Sequence, residues 1–256
     1  MDNILNFYKH LDGKYLNSNN LKDCAKRLMC EYRIVKGNFY YQIAEIEFYF
    51  YSFDHKDIIT YPRNCFQGLW FFHQSGVDLT ILSSDQGLNP SFGGILIRSI
   101  IKYGKNGEYI KTICGPQKCV NELFDYLNAI DNSIERTPII NKFSFSTCDV
   151  VSTQRFISFD VKGVNNLEKD DYQRIICQKA KNKFENILAT NKRYKNRIGE
   201  NEKEEWLITS SLNSFELFCD YLRAIYRYYL KDIMWESGYK AANVDKDDKS
   251  YKFLLV

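Results

Sequence analysis

The sequence predicts an α+β fold, on three observations. Several runs alternate residue character with the period of two that a strand needs, and they are rich in aromatic and β-branched side chains. Other runs place apolar residues at helical spacing. The two kinds do not follow the regular strand–helix order of a doubly wound sheet, so the helices are expected at the periphery. The 256 residues read as one domain, 1–256, because no Gly-, Ser- or Pro-rich joint interrupts them and only four prolines occur.

"LKDCAKRLMCEYRI" (Leu21–Ile34) sets Leu21, Cys24, Leu28 and Met29 on one helical face. "GNFYYQIAEIEFYFYS" (Gly37–Ser52) is aromatic and alternating, a strand, and the following "FDHKDIITYPRNCFQG" is a loop. "GLWFFH" and "VDLTIL" form a strand pair turned by "QSG". "GGILIRSIIKYG" is a buried strand and "GEYIKTIC" another. "GPQKCVNELFDYLNAI" becomes helical behind a proline suited to the first turn. "RFISFDVK" is a strand, "KDDYQRIICQKAKNKFENILAT" a helix and "EEWLITS" a last strand. "NSFELFCDYLRAIYRYYLKDIMWE" is an amphipathic C-terminal helix over about 213–237, and the tail at about 243–250 is polar and loose.

Composition narrows the function classes. Nineteen tyrosines and 18 phenylalanines supply a sizeable core. A net charge of +3 permits contact with a nucleic-acid backbone without predicting it. Any such contact rests on local basic clusters, "LATNKRYKNR" and "DYLRAIYRYYLK". The N-terminal residues lack the apolar core of a secretory signal, and the longest apolar runs are too short to span a bilayer. A cytoplasmic protein with reduced thiols is expected. None of the eight cysteines forms a CxxC pair, and the three histidines do not pattern with them. No metal and no cofactor are expected.

One stretch invites chemistry. In "AEIEFYFYSFDH" (Ala44–His55) strand alternation places Tyr41, Ile43, Glu45, Glu47, Tyr49 and Tyr51 on one face, and Gln42, Ala44, Ile46, Phe48 and Phe50 on the other. Two carboxylates among phenols admit two readings. Either that face meets water and the charges are ordinary, or a carboxylate sits in an aromatic pocket. There lost solvation favours the protonated form and suits it to act as a general base, with Tyr rings to stack on a flat heterocycle.

The order of several short motifs resembles the alkyladenine (3-methyladenine) DNA glycosylases. "EIEFY" (Glu45–Tyr49) resembles their catalytic strand, with Phe48 in a slot that is usually small, and His55 follows as a histidine does there. "YPRN" (Tyr61–Asn64), "GLWFFHQSG" (Gly68–Gly76), "GILIRSI" with Arg98, "GPQK" (Gly115–Lys118), "RIG" (Arg197–Gly199) and "EEW" (Glu204–Trp206) continue the likeness in the same order. The resemblance implies a single mixed domain built on a curved antiparallel sheet, a barrel like that of the formyltransferase C-terminal domain. It implies a monomer that acts on damaged DNA in base-excision repair without strand nicking.

The resemblance also implies roles. Glu47 activates the water that attacks the sugar C1′, and Arg98 helps hold that water. The carbonyl of Ile198 is a further water ligand. Tyr49 stacks on the flipped base and His55 packs beside it. Glu45 receives no role. N-glycosidic cleavage passes through an oxocarbenium-like state that one carboxylate can stabilise, once the nucleotide is extruded from the duplex.

Two positions depart from the pattern. The family fills the vacated stack with a tyrosine at the hairpin tip, where this chain has "HQSG", so His73 or Gln74 must substitute. An asparagine after the hairpin is replaced by Asp78 or Thr80, and an Asp there would repel a DNA backbone. These departures point to a changed substrate, such as single-stranded DNA or a free nucleoside. A glycosylase-like binding protein without catalysis is the competing class.

Overall fold

The computed structural model describes residues 20–52, 55–57, 60–85, 90–125, 137–146, 148–153 and 227–230. Two long strands form its spine: β2 (Phe39–Ser52) and β6 (Phe92–Tyr103). They run antiparallel side by side from Tyr40↔Tyr103 to Tyr51↔Phe92. Around them lie α1 (Leu21–Cys30), β1 (Tyr32–Lys36), β3 (His55–Lys56), β4 (Trp70–His73), β5 (Gly76–Thr80), β7 (Tyr109–Cys114), α2 (Pro116–Leu123), β8 (Ile139–Lys142), β9 (Val150–Thr153) and β10 (Arg227–Leu230).

The strands join into one curved antiparallel sheet, with few helices among the described residues. Each spine strand keeps the other along one edge and changes partner along its far edge. On β2 that edge is taken by β1 at Phe39–Tyr41, by β10 at Glu45–Glu47 and by β3 at Tyr51–Ser52. On β6 it is taken by β7 at Ser99–Tyr103 and by β5 at Gly94–Leu96. At the changeover the ladder slips twice. Ile43 pairs with Ile100, Glu45 with Ser99 and Ile46 with Ile97, so Ala44 is one residue extra on β2 and Arg98 one extra on β6. Bulges of this kind bend a strand and re-aim its side chains.

The core lies on both faces of β2. Every residue from Tyr41 to Phe48 is buried, aided by an aromatic and β-branched sequence. Helix α1 presents Leu21, Cys24, Ala25, Leu28 and Met29 to it, and the Met29 carbonyl accepts from Gln42 Nε2. Helix α2 starts at Pro116 behind Gly115, whose φ of 110° suits glycine and whose N–H bonds the Arg98 carbonyl. Its Cys119 and Leu123 are buried.

Several sequence expectations need correction. Tyr32–Lys36 is a strand rather than the end of the first helix, because its buried residues recur every second position, Tyr32 and Ile34. Arg227–Leu230 is a strand within the span expected as the C-terminal helix. It is hydrogen-bonded on both sides, by β2 and β9, so the sheet supplies the backbone partners a helix would have supplied internally. The short strands β3, β8 and β9 were not expected. Cys30 and Cys148 form a disulfide across 118 residues, so the expectation of reduced thiols fails for this pair. The Phe143 and Phe145 N–H groups bond the carbonyls of Glu31 and Cys30, which draws the later segment alongside the end of α1. The remainder of the 213–237 helix, the tail at 243–250, "RFISFDVK", the helix after it and "EEWLITS" lie outside the described residues.

No helix among the described residues is long and apolar enough to cross a membrane. Among those residues no cluster of three or more His, Cys, Asp or Glu side chains could hold a metal ion.

Candidate active site

Both strand glutamates are buried, Glu45 at 0% and Glu47 at 1% exposure, so the reading of an ordinary solvent-facing charge is excluded. They share one cation. Arg98 donates from Nη1 to Glu47 Oε2 at 2.7 Å and from Nε to Glu45 Oε1 at 3.3 Å. Ser99 Oγ donates to Glu45 Oε2 at 2.8 Å. Consecutive strand residues normally point to opposite faces, yet Arg98 and Ser99 reach the same carboxylate. The bulge that makes Arg98 the extra residue on β6 accounts for this. Charge-assisted bonds of this kind are the strong ones, and the low local dielectric strengthens them further.

Tyr49 lies two residues beyond Glu47 on the same face of β2 and is partly exposed. It faces Gly94 across the ladder. A second ionic cluster overlies that glycine. Arg63 Nη1 donates to Asp78 Oδ2 at 2.8 Å, and a Cβ on Gly94 would come within 2.7 Å of both atoms. The row Asp78–Leu96–Glu47 crosses three adjacent strands, so the two clusters share a face and stand about 10 Å apart by strand spacing. Arg63 belongs to the "YPRN" stretch, and its guanidinium also lies 4.1 Å from the Phe71 ring centre.

Asp78 therefore does not stand toward solvent where it would repel a phosphate backbone. It is 1% exposed and neutralised by Arg63. His73 is likewise not offered as a wedge. Its Nδ1 accepts from the Ser75 N–H, which leaves Nε2 to donate to Asp78 Oδ1 at 2.9 Å. The tie to Asp78 folds the ring back against β5, and the two turn residues left at the tip are Gln74 and Ser75, both exposed.

His55 is not brought to Glu47. Its partner in the ladder is Ser52, which puts it on the side of β2 opposite Glu47 and Tyr49. There its ring lies 5.4 Å from that of Phe50, and its Nδ1 stands 2.8 Å from the Phe50 carbonyl oxygen. Ile198 lies outside the described residues.

Of the expected set the structure thus brings Glu47 and Arg98 into contact and puts Tyr49 on their face. It places His73 and Asp78 together in a neighbouring cluster and sets His55 on the reverse side. Sequence reasoning left Glu45, Ser99 and Arg63 without a role. The available signals were a hydroxyl next to Arg98 and an arginine inside a quoted motif. Burial, with the Glu45 charge next in weight, pushes Cys119 well above the ordinary thiol range. No family model, no curated protein and no solved structure matches the chain.

Proposed function

We propose that the protein hydrolyses the N-glycosidic bond of alkylated or deaminated purine nucleotides, with Glu47 as the base that activates water. The observation that carries this reading is the 2.7 Å contact between buried Glu47 and half-buried Arg98, from separate strands, on the face that bears Tyr49. A carboxylate held by a guanidinium is fixed in orientation, as a base for water must be. In the reaction the base departs with the bonding electron pair and leaves an oxocarbenium-like sugar. Glu47 takes a proton from water as the water oxygen bonds C1′. The Tyr49 ring offers the departing heterocycle a stacking partner. A purine alkylated on its ring is already a good leaving group, so one carboxylate and one ring suffice for it.

The hairpin favours a second reading, in which the substrate is single-stranded or a free nucleoside. With His73 tied to Asp78, the exposed tip holds only Gln74 and Ser75, and neither fills the gap left by an extruded base. One assay separates the two. Oligonucleotides carrying methylpurines or hypoxanthine are offered as duplex and as single strand, with the matching nucleosides, and base release is followed by alkali cleavage of abasic sites or by chromatography. Glu47→Gln should lower release by on the order of 10²- to 10⁴-fold. Release from single strands or nucleosides alone selects the second reading. Wild-type protein that releases no base from any of these substrates refutes both.

A further inference from the structure

We infer that Glu45 is a positioning residue for the reaction proposed above, holding Arg98 so that its outer nitrogen meets Glu47; the inference rests on that reading of Glu47. Spacing alone could not rank the two carboxylates, and the structure ranks them by what their oxygens do. Glu45 is fully enclosed, with Oε2 taken by the Ser99 hydroxyl and Oε1 by Arg98 Nε. Both oxygens are engaged by β6 side chains, and the bond to Arg98 sets the plane of the guanidinium. Nε and Nη1 lie in one rigid planar group, so fixing Nε on Glu45 fixes where Nη1 points, and it points at Glu47 Oε2. Ser99 holds Glu45 in turn. Both Arg98 and Ser99 reach it because the bulge at Arg98 breaks the strand alternation. The relay therefore runs from Ser99 through Glu45 and Arg98 to Glu47.

The test reads the Arg98 Nε–H directly by ¹⁵N NMR of the labelled full chain, assigned by its loss in Arg98→Lys, alongside steady-state base release. Glu45→Gln should speed exchange of that proton and lower kcat by on the order of 10- to 100-fold with KM unchanged, as small misplacements at a reacting group do. Glu47→Gln should lower kcat by on the order of 10²- to 10⁴-fold and leave the Nε–H protected. Ser99→Ala removes one hydroxyl and keeps every charge, so it serves if Glu45→Gln does not fold. It should shift both readouts in the same direction by less. Unchanged Nε–H exchange in the folded Glu45→Gln protein, or in Ser99→Ala where the former does not fold, overturns the positioning role. So does a loss carried by KM rather than kcat. A wild-type protein without base release overturns the glycosidic reading alone, because the exchange measurement still decides whether Glu45 holds Arg98.

Discussion

Replacing Arg98 and replacing Glu47 should have very different effects on stability, although the two residues touch. Arg98→Leu removes the cation shared by two buried carboxylates. Removing one side of a buried ion pair leaves buried charge uncompensated and costs about 3–5 kcal/mol. Glu47→Gln is different. Arg98 retains Glu45, and the amide oxygen can still accept from Nη1, so about 1 kcal/mol or less is lost. Urea unfolding gives both values from the midpoint and its slope. Equal losses in the two variants, or an Arg98→Leu protein within about 1 kcal/mol of wild type at pH 7, would refute the reasoning.

Two further outcomes are expected. Burial pushes the Glu122 carboxyl up, but hydrogen bonds and charge from Lys102 and Lys111 outweigh it and hold the group at about 2, against an ordinary 4.5. A carboxyl lowered on folding stabilises above its unfolded value. The advantage of wild type over Glu122→Gln, about 1 kcal/mol after solvent screening, should therefore be full above pH 4.5 and vanish as pH falls toward 2 in thermal melts. Gly94→Ala drives a methyl to 2.7 Å from Arg63 Nη1 and Asp78 Oδ2 and should cost about 1–3 kcal/mol in urea. A neutral result would mean that the Arg63–Asp78 pair does not sit over that glycine.

The strand that carries the glutamates was legible from alternation, because period two decides which residues share a face. What covers a face is not local information. Glu45 and Glu47 read equally well as surface charges from spacing alone, and their burial is set by packing remote in sequence. The Arg98 contact depends on two compensating bulges, which leave no mark on the pattern of either strand. His55 was misplaced for a simpler reason. Only two residues separate it from Ser52, and a return that short pairs the two on one face, away from Glu47. The β10 segment shares the helical period of the residues before it, so only its two neighbours in the sheet could decide it. The Arg63–Asp78–His73 cluster joins a loop to a hairpin and was beyond any reading of spacing.

The partner changes along β2 set a timetable for making the protein. Glu47 and Arg98 lie in the first hundred residues, but the strand that covers the other edge of Glu45–Glu47 begins at Arg227. At ribosomal speeds of about 5–20 residues per second, that edge waits roughly 10–40 s for its cover. Until then a nascent chain holds the Glu47–Arg98 pair beside a row of unpaired backbone donors and acceptors, a ready template for another chain. A product cut short before β10 would keep the Glu47–Arg98 pair and also an open seam, and chaperones and proteases would decide its fate.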